Sequence, residues 1–364
     1  MSAIQSEVLL RQPVESVVLV DDEEIVSLYP YLKEIKVDMS RSAATSCTLV
    51  FDSIRDESGE WTVQDAGILD PWKTIQVQAV FGDVVEDVMS GYIKEVKVEY
   101  PEDMSSASVT VTGQDESLLL DREHVRRTWS TSADPLSDGQ IVARIAQATN
   151  LSAEAEEGLT NTSLNSDGTY ITLLKERAGA NGYELYVRNG TIYFHPIQLE
   201  GTPQATIMVY AGPATNCLRF SAQYDGHKPE RVRVIRSVDT GTDNDDQSIA
   251  PDLALLGTTA ANSEASGLPP FEWVMQQPNG ATSAEVQARA QAKANENAWK
   301  IKAEGELDGA LYGHVLFTHA TVEVDGAGLQ YGGLYYVDEV SHKFSADGYR
   351  QTFKLLRNAL GEEG

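Results

Sequence analysis

The sequence predicts a mainly β protein, α+β overall, with two small antiparallel β-barrels on either side of an α+β domain. Three observations lead there. Apolar and polar residues alternate in several short runs between residues 15 and 120, and again from Lys300 to Arg357. Period-two alternation gives a strand one dry and one wet face, as in an antiparallel sheet. Between these stretches, within residues 121–197, the apolar spacing turns helical. The length of 364 residues suits two or three domains at roughly 100–200 residues each.

The first barrel is assigned to residues 1–120 and is expected to be completed by strands within 215–238. Its strands are Val17-Val18-Leu19-Val20, Ile35–Met39, Cys47–Phe51, Ile75–Phe81, Gly91–Val98 and Ser108–Thr112. Several strands in so short a stretch, with Gly and Asp between them, favour closure into a barrel or sandwich. The α+β domain takes residues 121–214. Ser137-Asp138-Gly139-Gln140 has the form of a capping box, so a helix starts there, with Ile141, Ile145 and Ala148 on one face and Val142 beside them. A second helix is expected from Thr169 to Gly179, with Ile171, Leu174 and Ala178 inward and Gly179 and Gly182 ending it. Tyr183–Val187 and Thr191–His195 flank Asn189-Gly190, a hairpin with a tight turn.

Leu218–Tyr224 and Arg231–Ile235 read as strands again. Residues 239–364 hold the second barrel. They open with a polar, poorly periodic stretch, 239–282, expected to be a long loop, mobile in the free chain and packing only against a partner. Thr282-Ser283-Ala284-Glu285 is another capping box and begins helix 283–299, with Val286, Ala290 and Ala294 on one stripe. In the final hairpin Tyr336, Val340, His342 and Phe344 share one face, and Tyr349, Phe353 and Leu355 share the face of the second strand. Asp347-Gly348 between them suits the positive φ angles of a tight turn. No internal repeat is apparent.

The chain carries 28 Lys and Arg against 55 Asp and Glu, a net charge of −27. Such a surface repels phosphate backbones and anionic headgroups, which disfavours specific nucleic-acid binding and membrane association. The charge reads either as a device for solubility or as the wall of a channel past which DNA slides. Cys47 and Cys217 sit in apolar runs and are expected to be buried free thiols. The N-terminus lacks the pattern of a signal peptide and no apolar run is long enough to span a bilayer, so folding in a cytoplasm is expected.

No catalytic, cofactor-binding or metal-ligating residue is assigned, and the chain is not expected to be an enzyme. With so many carboxylates, a pair resembling a glycosidase dyad has no specificity. His124, His195, His227, His314, His319 and His342 lack metal-ligand spacing. His314 and His319, five apart on a predicted strand, point to opposite faces, and His342 is an interior histidine. Gly326–Gly333 has one residue too many for a dinucleotide loop and reads as a turn between strands. The acidic run Asp239–Asp246 lacks EF-hand spacing and reads as a solvated loop. Asp121–Arg127 is a basic patch of the surface or of an interface.

Several motifs carry a resemblance. The closing hairpin reads Tyr336-Val337, Val340, His342, then Gly348-Tyr349, Thr352-Phe353, Leu355 and Arg357-Asn358. Gly91-x-Ile93-x-x-Val96, Gly113-x-Asp115-x-x-x-Leu119 and Val187-x-x-Gly190-x-Ile192-x-Phe194 add to it. Together they resemble the phage late control D, or baseplate hub, family of contractile tails. Relatives of that family are the hub part of type VI secretion spike proteins and the hubs of extracellular contractile injection systems. The stretch His319–Gly326 departs from the family, many of whose members have Pro-Gly there. The resemblance implies tail-tube-like barrels and a homotrimer, whose six barrels adapt a threefold spike to a sixfold tube and line its channel. It further implies as partners the spike protein, the tail tube or a tube initiator, the tape measure protein and the baseplate wedge, and a location in a virion or tail-like particle assembled in a bacterial host. With no fused spike following the hairpin, a stand-alone hub is expected. Two other classes remain open: a cell-wall-degrading tail enzyme, and a carbohydrate-binding β-protein that uses some of the 15 tyrosines and 5 tryptophans as platforms.

Overall fold

The alternating runs of the first hundred residues become strands because each offers one apolar face to a common core. The structure is a computed structural model and describes residues 14–102, 106–235, 247–263, 267–276 and 282–361. Six strands open the chain: β1 (Val14–Val20), β2 (Leu32–Ser40), β3 (Ala43–Ser53), β4 (Thr74–Phe81), β5 (Val84–Glu99) and β6 (Ala107–Gln114). They pair antiparallel in the order β2-β3-β6-β5-β4-β1. Val18, Val37, Leu49, Phe51, Val77, Val109 and Val111 are fully enclosed between them. Burying each such side chain contributes about 1.5–3 kcal/mol.

The middle unit has β7 (His124–Ser130), α1 (Asp138–Thr149), β8 (Ser152–Ala155), β9 (Leu164–Thr169), α2 (Tyr170–Asn181), β10 (Glu184–Arg188) and β11 (Thr191–His195). Ser137 caps α1 in a reciprocal capping box with Gln140. Helix α2 begins and ends within two residues of the expected bounds and is closed by Gly182 in the left-handed conformation. Asn189 and Gly190, at φ 48° and 69°, make the tight turn of the β10–β11 hairpin. Ile141, Ile145, Leu174, Ile192 and Phe194 form a core of their own.

The rest comprises β12 (Gln204–Met208), β13 (Cys217–Tyr224), β14 (Arg231–Ile235), β15 (Gln247–Ile249), β16 (Glu272–Gln276), α3 (Ser283–Ala298), β17 (Ile301–Asp308), β18 (Thr321–Asp325), β19 (Gly333–Ser345) and β20 (Gly348–Arg357). Strands β13-β17-β20-β19-β18-β12 form a second path around the core of Leu307, Leu316, Val322, Tyr335, Val337 and Leu355. Together with the two-residue strand Glu23–Glu24 beside β1, the two paths are one sheet of thirteen strands among the described residues, and it curls into a half-barrel. Strand β19 joins them. Its first half, from Gly333 to Tyr336, pairs with β18, and its second half, from Glu339 to Ser345, pairs with β2.

The structure corrects several expectations. Among the described residues no strand within 215–238 completes the first path. β13 pairs with β17 of the second path, and the strand beside β2 is β19. The stretch 239–282 is not a structureless loop where it is described: β15 and β16 flank β14, antiparallel and parallel, and this small sheet packs Val232 and Val234 onto Val286, Ala290 and Ala294 of α3. Within that stretch, Asp239–Asp246 lies outside the described residues. In the final hairpin a β-bulge between Val337 and Glu339 flips the strand, so Tyr336 packs with Trp299 and Leu356 while Val340, His342 and Phe344 stay together on the other side. Ser345 pairs with Gly348 across a two-residue loop, and the positive φ falls on Gly348 alone, at 96°. His314 and His319 lie on no strand. Gly326–Gly333 contains a single helical turn, Gly328–Tyr331. Cys47 and Cys217 are buried free thiols, as expected.

The two paths repeat each other. In both, the first, second, fifth, fourth and third strands of a five-strand unit lie side by side: β2-β3-β6-β5-β4, and β13-β17-β20-β19-β18. The fourth strand carries its bulge at the same place, between Ile93 and Glu95 and between Val337 and Glu339. The amide of Ile93 donates to the Lys73 carbonyl at 2.9 Å, and that of Val337 to the Ala320 carbonyl at 3.0 Å. One residue earlier in each connecting segment is a non-glycine in the left-handed region, Trp72 at φ 74° and His319 at φ 61°. The sequences agree where the geometry does. Thr74-Ile75-Gln76-Val77 matches Thr321-Val322-Glu323-Val324, and Tyr92-Ile93-Lys94-Glu95-Val96 matches Tyr336-Val337-Asp338-Glu339-Val340. The sixth strands differ, since β1 runs antiparallel to β4 whereas β12 runs parallel to β18.

Candidate functional site

Among the described residues no group of His, Cys, Asp or Glu is arranged to hold a metal ion, and no described helix is long and apolar enough to cross a membrane. The histidines are distributed over separate structural tasks. His124 pairs with Asp167 at the surface, His227 stacks on Phe271, and His314 bonds Glu86 at 2.8 Å. His195 packs edge-on to Tyr186. His342 is fully buried, with its Nδ1 2.9 Å from the Tyr349 hydroxyl, and burial pushes its imidazole pKa down to about 3.

Where charge is buried, it fastens the units together. Glu184, at the start of β10, accepts a 2.5 Å hydrogen bond from the Tyr336 hydroxyl of β19 and lies 3.1 Å from His319. His319 itself stacks on Tyr186. Burial works to raise the Glu184 pKa, but the hydrogen bonds from His319 and Tyr336 and the nearby Arg41 charge outweigh it and hold the carboxyl below its usual range. Arg41 also bonds Glu296 of α3 at 2.9 Å and Asp338, the bulged residue of β19, at 3.1 Å. A second clamp ties α2 to α1 and α3: Arg177 forks onto Asp138 and reaches Glu285. A third is Arg357, wholly buried, which donates to the carbonyls of Leu256, Gly332 and Gly361. These groups join separate units of the chain and stabilise their packing, although Glu184 Oε1, 3.6 Å from Arg41, accepts no hydrogen bond.

Sequence reasoning missed these clamps, because Glu184, Arg41 and His319 are far apart in the chain. The basic patch Asp121–Arg127 is partly engaged: Arg122 lies over Trp72 and Arg127 over Trp129, while Arg126 is exposed. The features available to a partner are therefore surfaces. One is a groove of about 320 Å³ lined in part by the exposed Leu255 and Leu268, with Phe271, Trp273 and Val274 of the neighbouring chain segment also 40–43% exposed. The others are open strand edges. Among the described residues β13 pairs on one side only, with β17, and the second half of β5, from Lys94 to Glu99, pairs on one side only, with β6.

A protein-family profile described as the Alg8 N-terminal domain matches residues 11–346. The chain belongs to that family. No curated protein matches the sequence. Among solved structures the chain is similar to a 43 kDa tail protein of prophage MuSo2 from Shewanella oneidensis, at 13% identity and a TM-score of 0.69, covering 94% of this chain and 98% of that one. It is also similar to a tail protein from Neisseria meningitidis MC58, at 13% identity and a TM-score of 0.65, with 95% and 97% covered. A third is an E. coli component of the type VI secretion system, itself described as similar to tail proteins of bacteriophage T4, at 11% identity and a TM-score of 0.53, with 96% and 75% covered. At these identities the likeness concerns the fold, which is thus one found in phage tail and type VI secretion proteins. Two of these similarities run nearly end to end in both chains.

Proposed function

We propose that this protein is a structural ring component of a contractile tail baseplate, a central hub in which three copies place six related modules around a channel. The observation that carries this reading is the repeated five-strand path within a fold found in tail proteins. A chain with two like modules allows a threefold assembly to present six similar surfaces, which is what a joint between a threefold spike and a sixfold tube requires. The buried clamps, in which charged side chains fasten the units to one another, fit a building block. The spike and the tube or its initiator are the partners, with the tape measure protein and baseplate wedge nearby, and the site of action is the virion or tail-like particle. The net charge of −27 fits a channel wall that does not hold passing DNA, with repulsion reaching over about 8–10 Å in physiological salt.

Light scattering on the full chain, alone and with its cognate spike, tests the reading. The expected particle contains three 39.7 kDa chains, and averaged electron micrographs of it show a ring with a central hole. A chain that stays monomeric with spike present, or that clears peptidoglycan in a zymogram, overturns it.

A further inference from the structure

The repeat makes a specific statement about how one copy meets the next. Inside the chain, the first strand of module one, β2, lies against the far half of the fourth strand of module two, β19. The register there pairs Val340 with Met39, His342 with Val37 and Phe344 with Ile35. The equivalents of these two strands are β13, first strand of module two, and the far half of β5, fourth strand of module one. Among the described residues both have one edge without a strand partner.

Burial records the same vacancy. On β2 the inward Ile35, Val37 and Met39 are buried, whereas at the matching positions of β13 Phe220, Ala222 and Tyr224 are only half-buried. On β19 Val340, His342 and Phe344 are buried, whereas the matching Val96 and Val98 are half-buried and Tyr100 is 62% exposed. Open edges of this kind are ready to accept another strand.

We infer that β13 of one copy pairs antiparallel with the far half of β5 of a second copy, repeating between chains the seam already present within each chain. This rests on the assembly proposed above and deepens it. The repeat fixes the register: Val96 opposite Tyr224, Val98 opposite Ala222, and Tyr100 opposite Phe220. Every inward residue of the new seam is apolar and incompletely buried in the single chain, so the pairing removes these residues from water. Pro101 follows directly and, lacking an amide hydrogen, ends the ladder. At the other end this register sets Glu95 opposite Asp225, and Lys94 opposite Gly226, where Asp338 and Arg41 meet in the internal seam. The contact is heterologous, head to tail, so it makes a ring if the rotation closes.

The test is a disulfide between copies. Directly opposed antiparallel residues have Cα atoms about 4.5–5.5 Å apart, within the range a disulfide spans. The full chain carrying Val98→Cys and Ala222→Cys together is oxidised and run without reductant. The two native thiols are buried and do not compete. The inference expects covalent species of two and three chains from the double variant and none from either single variant. It also expects amides 95–100 to exchange more slowly in the assembled state. Trimers by light scattering without cross-links overturn the seam and leave the hub reading standing. Cross-links running beyond three chains uphold the seam and overturn the trimer. No self-association of the unmodified chain, with or without spike, overturns both.

Discussion

β2 and β13 hold the same place in two modules with the same strand order, yet they live in different surroundings. β2 has a neighbour on each edge, and its Ile35 and Val37 are at most 1% exposed. Among the described residues β13 has one neighbour, and its inward Phe220, Ala222 and Tyr224 stay half-open. Both strands alternate apolar and polar residues, so pattern alone would give them the same burial. The difference teaches that the depth of a strand is set by who lies beside it.

The strongest way to break the comparison is to charge both strands at the equivalent position. Val37→Asp puts a carboxylate into a closed core and is expected to cost more than about 4 kcal/mol, enough to leave little folded protein. Ala222→Asp is expected to cost the single chain less than about 1 kcal/mol, since that side chain still reaches solvent. Urea denaturation of the two variants measures the gap, and similar losses would mean that the edge of β13 is as closed as that of β2.

A middle-sized effect compares His342 with its counterpart Val98. The folded imidazole titrates at about 3 instead of the usual 6.5, first because it is buried. A histidine whose pKa is lowered by folding favours the folded state fully above 6.5, and this contribution is lost as pH falls from 6.5 toward 3. The loss is roughly 1.4 kcal/mol per pH unit. Between pH 7 and 4.5 the wild-type chain should lose about 2–3 kcal/mol more than His342→Val, which makes β19 resemble β5 at this position. Equal pH slopes in the two proteins would show that His342 is not the buried neutral group described.

The smallest effect lies at the two bulges. Asp338→Ala removes one of the three carboxylates around Arg41, which keeps Glu184 and Glu296, and about 1 kcal/mol is expected. Lys94→Ala, at the matching bulge, should change the stability of the single chain by less than about 0.5 kcal/mol. Thermal unfolding of both variants at low protein concentration, where copies do not meet, gives the comparison.

Much of the architecture was legible in local sequence. The capping boxes at Ser137 and Thr282, the Asn189-Gly190 turn and the stripe Val286, Ala290, Ala294 all appear where expected, because each is a short-range device whose chemistry is complete within a few residues. The repeat was also written there, in Thr74–Val77 against Thr321–Val324 and Tyr92–Val96 against Tyr336–Val340. It escaped notice because the connecting loops differ in length, so no single period aligns both segments, and because only the strands facing a common core keep their residues. The bulge at Asp338 escaped too, since an inserted residue looks the same in sequence as regular alternation until a partner strand fixes the register.

By itself, then, the sequence determined where strands, helices and turns form and which side of each is apolar, since those follow from residue spacing and backbone preference. Tertiary structure alone decided which strands became neighbours, that β19 is divided between two modules, and that Glu184, His319, Tyr336 and Arg41 meet. Those outcomes come from closing a sheet over residues hundreds of positions apart, where hydrogen-bond register and burial act across space and leave no mark on the local pattern.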